Sequence, residues 1–279
     1  PPRICRFRAG RARVCPCTDP RQTGPVQGVG ELIQRHRPAL TLLYGPDDLA
    51  RWSDHAHRLV ERVSWEPARG LDADDDAVAD MAATVAAHAA LLVAGFSPAT
   101  QPYRDVTSVV LHRGTIVSRE PRPGPVTGVM TNAPQHLAGQ SGHGRGPVLL
   151  DWRTVQRDIA RPQLGVNVVY HEFAHKLDQL DGVYDGMPPL GSDRARAEWE
   201  QTIGTNYRRL RRRGSDPIVR AYGATNPAEY FAVTSELFFT VPEALREQHP
   251  RVYERLAEFY VQDPAALVVA QRGTLETPS

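Results

Sequence analysis

The stretch HEFAH, residues 171–175, places two histidines four apart with a glutamate directly after the first. Residues four apart share one face of a helix, so His171 and His175 can turn their imidazoles toward one ion. Glu172 lies about 100° round the helix, beside such an ion and outside its set of protein donors. Two neutral nitrogens with a carboxylate next to the open position is the arrangement of hydrolytic zinc sites. Zn2+ fits best, one ion per chain, with a fourth position open to water whose pKa the ion lowers to about 7. Glu172 would take the water's proton as general base and pass it to the leaving amine. The plainer alternative is a buried helix with two incidental histidines. Against it stands the apolar run before His171, with Val166, Val169, Phe173, Leu177 and Leu180 at helical spacing.

Two imidazoles need a third donor. The extended form with a glycine and a third histidine further along the helix fails, because Asp178 and Asp181 stand at those positions. Both follow too closely on the same helix, although Asp178 could orient a ligating histidine. Asp185 is a loop candidate. Stronger ones lie in AYGATNPAEYFAVTSELFF, residues 221–239, an apolar helix carrying Glu229 and Glu236 seven apart on nearly one face. Asn226-Pro227-Ala228-Glu229 also reads as a capping box with proline at the first helical position, so Glu229 could simply reach back to Asn226. Spacing alone leaves Glu229 and Glu236 both open as the third donor.

The elements that must carry these residues follow from pattern. A helix is expected from Pro46 through DDLARWSDHAHRLVERV, and a second one after the acidic run 73–76, buried over residues 81–96 and ended by Gly95. The acidic run reads as a cap that opposes the helix dipole, and only secondarily as a cation site. Short strands are expected at 107–113, 115–119, 128–132 and 146–152, with a glycine-rich connection at 134–146. Helices are expected at 152–160, 164–181, 192–213, 227–239, 242–248 and 250–262. Helices, then a small sheet, then helices make an α+β chain.

NVVYHEFAHKLDQLDG, AYGATNPAEYFAVTSELFFTVPEAL and LAEFYVQDP together resemble the Mlc titration factor A family of zinc-dependent gluzincin peptidases, whose site is similar to that of anthrax lethal factor. The likeness is dense over about residues 147–264, fainter back to about 57, and absent over 1–50. It implies a zincin-like fold, in which a small mixed β-sheet packs with an active-site helix and further C-terminal helices. It implies that Glu229, the glutamate of the N-P-A-E element, is the third ligand. It also implies that Tyr222, seven residues earlier, points into the site, where a phenol could stabilise an oxyanion. The family's substrates are peptides, with an aminopeptidase the expected form, and its members bind the glucose-regulon repressor Mlc. A regulatory protein partner, with the zinc site ancillary, is therefore the alternative function. An intact Glu172 favours the peptidase, because a pure binder needs no general base.

Bulk properties narrow the field. A formal charge of +1 over 279 residues gives no field that would draw the chain to nucleic acid or membranes. The arginines of NYRRLRRRG, residues 206–214, fit the cationic last turn of a helix ended by Gly214. The apolar stretch 81–96 is shorter than the roughly 18–20 residues that span a bilayer. All three cysteines, Cys5, Cys15 and Cys17, fall in one irregular segment, which is no disulfide framework. With no leader-like apolar core near the first residues, the expected setting is cytoplasmic. The expected organisation is an irregular extension over 1–50, a metallopeptidase domain over 51–264 and a flexible tail over 265–279.

Overall fold

The computed structural model describes residues 44–268, apart from 69–70, 98, 115, 119–121, 124–129, 132–134, 138 and 142–145, together with Glu31 and Arg35. Most of the expected extension, all three cysteines and most of the expected tail therefore lie outside the described residues.

Helix α1 (Pro46–Arg62) starts on a proline with Asp47 and Asp48 in its first turn. The short strand β1 (Ser64–Pro67) follows, and then α2 (Asp75–Leu92). The Asp74 side chain accepts from Ala77 N–H at 2.8 Å, so the acidic run caps this helix, as its position suggested. Strands β2 (Ser108–His112), β7 (Gly139–Ser141) and β8 (Val148–Asp151) join β1 in one sheet of order β1-β2-β8-β7. The first three strands in that order run parallel, and β7 closes the sheet antiparallel to β8. Two ribbons are not hydrogen-bonded into it: β3 (Ile116–Ser118) with β6 (Gln135–Leu137), and β4 (Arg122–Pro123) with β5 (Met130–Thr131).

Two of these strands correct the sequence reading, since β6 and β7 lie inside the expected glycine-rich connection. Neither has an alternating apolar pattern of its own, and each is fixed by the partner strand it pairs with. Strand β4 was not anticipated either, and nor was β1. The latter is four residues long and ends in a proline at the sheet edge, where a missing N–H costs no ladder bond.

Helices make up the rest: α3 (Trp152–Ala160), α4 (Val168–Asp178), α5 (Asp193–Trp199), α6 (Thr205–Arg213), α7 (Pro227–Thr240), α8 (Pro242–Gln248) and α9 (Pro250–Tyr260). The expected helix over 164–181 is three pieces. A 3-10 turn at Pro162–Leu164 ends at Gly165 with φ of 71°, Asn167 caps α4, and a second 3-10 turn covers Gln179–Asp181. Between α5 and α6 the chain makes a π turn over Glu200–Gly204, so residues 192–213 are continuous but not one regular α-helix.

Phe173 and Leu177 of α4, Phe231 and Phe238 of α7, Val109 and Leu111 of β2, Leu150 of β8 and Tyr260 of α9 belong to one buried core. The architecture is α+β, with the mixed sheet and the helices around α4 arranged as expected. Among the described residues no helix is long and apolar enough to cross a membrane.

Candidate metal centre

Every residue of α4 is buried, and so are Ala228 through Phe238 of α7. Each helix is started by an asparagine. The Asn167 side chain accepts from the N–H groups of Val169 and Tyr170, and Asn226 Oδ1 accepts from Glu229 N–H at 2.9 Å. The capping half of the N-P-A-E reading therefore holds. The Glu229 carboxylate, however, turns away from the cap and toward α4.

There the three side chains meet. His171 Nε2 and His175 Nε2 are 3.2 Å apart, and Glu229 Oε2 stands 3.0 Å from the first and 3.4 Å from the second. A tetrahedral ion with bonds of about 2.0–2.2 Å needs donors roughly 3.3–3.6 Å apart, so this triangle is within a few tenths of an ångström of that shell. Glu229 Oε2 is buried and has no hydrogen-bond partner, which is costly for a carboxylate oxygen unless a cation completes it. His171, His175 and Glu229 form a buried group able to hold a metal ion.

The other site residues are arranged around this triangle. Glu236 does not face it, since its Oε1 lies 2.7 Å from His171 Nδ1 and its Oε2 accepts Asn167 N–H at 2.8 Å. Holding the Nδ1 side leaves the Nε2 lone pair of His171 for a metal. Arg220, just before the 3-10 turn Ala221–Ala224, donates from Nη2 to the same Glu236 oxygen. Burial disfavours a charged His171, but Glu236 and Glu229 outweigh it and push its pKa up to about 10. Burial likewise works against the charge of Glu229 and of Glu236, yet both are lowered: Glu229 by the two imidazoles, Glu236 by His171 and Arg220. The imidazoles thus sit among carboxylates whose negative charge favours a positive partner.

Glu172 is 4% exposed and lies under β7. A Cβ added at Gly139 would come within 2.6 Å of Glu172 Oε1 and 2.8 Å of Val168 Cγ2, so only a glycine lets the strand pass that close. The Tyr222 ring is 5.8 Å from that of His171 and its residue is 39% exposed, so it sits at the mouth of the site. Partial burial, then the Glu229 and Glu172 carboxylates, raise the Tyr222 hydroxyl pKa.

Two aspartates near the site do other work. Asp185 is exposed and accepts Met187 N–H at 3.0 Å, so it is a turn residue and not a member of the donor group. Asp178 is fully buried and accepts Gly186 N–H at 3.0 Å, which ties down the loop after α4. Burial pushes its pKa up to about 7. Three neighbours were not singled out from sequence: Gly139, Arg220 and Tyr184, whose hydroxyl is 3.3 Å from His175 Nε2. Spacing carried no signal for them, because each reaches the site from a different loop or strand.

A family profile described as glucose-regulated metallo-peptidase M90 matches residues 22–261. The chain belongs to that family. The M90 match begins inside the stretch that resembled nothing when read from sequence. Mlc titration factor A of Edwardsiella ictaluri is 38% identical over 143 residues, 49% of this chain and 53% of that protein. The protein of the same name from Serratia proteamaculans is 38% identical over 145 residues, 50% of this chain and 54% of that protein. An uncharacterized protein of Synechocystis sp. is 37% identical over 130 residues, 46% of this chain and 47% of its own length. The chain thus spans about half the length of the curated relatives it matches.

Proposed function

We propose that this M90 member is a zinc metallopeptidase acting on short peptides, with His171, His175 and Glu229 as ligands, Glu172 as general base and Tyr222 as an oxyanion donor. The observation that carries this reading is the buried Glu229 oxygen without a hydrogen-bond partner, set between two imidazole nitrogens at near-tetrahedral spacing. A zinc ion held there supplies Lewis acidity and makes a water acidic at neutral pH.

The chain's own groups do the rest. Glu172 is held against the β7 backbone, which fixes where its carboxylate can take up and deliver a proton. The Tyr222 hydroxyl stands at the mouth, where it can donate to an oxygen that gains charge. Strand β7 is an edge of the mixed sheet, so an extended peptide can pair along it and bring its backbone to Glu172. An aminopeptidase acting in the cytoplasm is the specific form we propose.

A second reading comes from the relatives' name, Mlc titration factor A, which describes proteins that titrate a partner called Mlc. On that reading this chain would also bind a regulatory protein. Metal analysis combined with a panel of free and N-blocked peptides separates the two. The peptidase reading expects one zinc per chain, its loss in Glu229→Ala, and cleavage of free peptides. Full zinc in Glu229→Ala with loss in Glu236→Ala would move the third ligand to Glu236. Zinc bound without cleavage of any peptide would favour the binder.

A further inference from the structure

A second phenol approaches the triad from the loop after α4. The Tyr184 hydroxyl is 3.3 Å from His175 Nε2, and its ring lies 5.1 Å from the imidazole at 53°. That nitrogen is the one His175 turns toward His171 Nε2 and Glu229 Oε2, at 3.2 and 3.4 Å. The Tyr184 oxygen therefore stands as far from His175 Nε2 as the other two donor atoms do. Donors of one tetrahedral shell share such a separation, roughly 3.3–3.6 Å. A phenylalanine would give the same ring contact without the oxygen.

The backbone that presents this phenol is tied to both metal-site helices. Gly186, two residues on, has φ of 76°, and an added Cβ would sit 2.3 Å from Pro227 O, so the turn presses on the start of α7 two residues before Glu229. Gly186 N–H donates to Asp178 Oδ2 on α4 at 3.0 Å, and Gly186 O accepts from Trp199 Nε1 at 2.9 Å. These contacts hold the turn, and the Tyr184 side chain that it carries is half-buried.

We propose that Tyr184 is a fourth donor of the metal site: in the substrate-free protein its hydroxyl oxygen fills the position that a substrate needs, and the ring swings aside when a peptide enters. The proposal rests on the reading of His171, His175 and Glu229 as metal ligands. It makes the resting site closed by the chain's own side chain, with the closing group on a turn fixed by Asp178.

Copper(II) loaded into the full chain tests it without any assay of hydrolysis. With one copper bound per chain, the wild type should show a visible band from phenolate oxygen to copper charge transfer, the Tyr184 hydroxyl giving up its proton to solvent as copper binds. Tyr184→Phe and Tyr184→Leu should lose the band and Tyr222→Phe should keep it. A hydroxamate dipeptide, which competes for the same position, should bleach the band in the wild type, a result that depends on no variant folding. Zinc should leave Tyr184→Phe for a chelator at least about tenfold faster, by comparison with what the loss of a ligand's hydrogen-bond partner costs. Copper bound without a band, or a band that survives Tyr184→Phe, overturns the role of Tyr184 while leaving the metal site standing. A wild type that takes up no metal overturns the metal reading itself, and this proposal with it.

Discussion

Helices α1 and α2 pack on each other through Trp52, Ala56, Ala83, Ala87 and Ala90, with Ala94 just past α2, a small cluster separate from the main core. Trp52 Nε1 donates to Ala87 O at 2.8 Å and Arg51 Nε to Ala94 O at 3.0 Å, so the polar atoms at this contact answer to backbone. Helices α4 and α7 pack by the opposite means. Between them they bury His171, Glu172, His175, Lys176, Asp178, Glu229 and Glu236. A buried ionised group costs several kcal/mol unless partners offset it. The first pair packs on small apolar side chains, and the second carries an electrostatic load of the kind that a metal site accounts for. Even Lys176, the only lysine in the chain, is buried there, donating to Gly146 O at 2.9 Å with its pKa brought down to about 8 by burial.

The contrast is sharpest at Glu172, on the loaded side. Glu172→Gln should keep fold and metal, because the amide retains nearly the same shape under β7. Hydrolysis should fall by about 10²–10⁴, the contribution of a positioned base, since an amide can hydrogen-bond a water but not take its proton. Peptide turnover measured beside zinc content decides it. A wild-type rate in the metal-loaded variant would remove Glu172 from the mechanism.

Trp52→Ala probes the other side. Truncating a fully buried tryptophan should cost about 3–5 kcal/mol of stability. Thermal or urea unfolding should register that loss, while zinc per folded chain and turnover of the folded fraction stay as in the wild type. If zinc falls with stability, the two helix pairs are coupled and the contrast drawn here breaks down.

A smaller effect is expected at the mouth of the site. Tyr222→Phe should lower turnover about 10²–10³-fold if its hydroxyl donates to the charge that develops on the substrate oxygen. KM should move much less, because that bond matters mainly in the transition state. Turnover within about threefold of wild type, far short of that loss, would leave Tyr222 as a packing residue.

How much of this was legible depended on how local the information is. The HEFAH helix declares His171, Glu172 and His175 through a spacing that the helix itself enforces. The capping signal at Asn226 was equally local, and it was real. It could not say where the Glu229 side chain goes, since a cap constrains the backbone and leaves χ angles to the tertiary fold. Glu229 and Glu236 therefore stayed indistinguishable by spacing, and only the resemblance to a family separated them. Strands β6 and β7 were hidden for a related reason: their pairing is dictated by β3 and β8, not by their own residues. Gly139 over Glu172 and Tyr184 beside His175 are contacts between segments far apart or differently oriented, and no periodicity reports on them.

The pairing of Glu236 with His171 gives the mildest test of the loaded helix pair. Glu236 accepts on both oxygens, from Asn167 N–H and on the His171 Nδ1 side, with Arg220 closing the group. In Glu236→Gln the amide has one oxygen for these two places. If that oxygen faces His171, the new NH2 meets the Asn167 N–H donor; if it faces Asn167, the NH2 meets His171 Nδ1. Either way one contact is lost, and the Arg220 charge beside His171 loses its counter-ion. The three donor atoms remain, so metal binding should persist but weaken by about 10–100-fold, the usual cost of losing the partner that orients a ligating histidine. Competition with a zinc chelator reads this directly. Unchanged affinity would mean that the helix alone aims His171, and that Glu236 is buried for the sake of Asn167 and Arg220 instead.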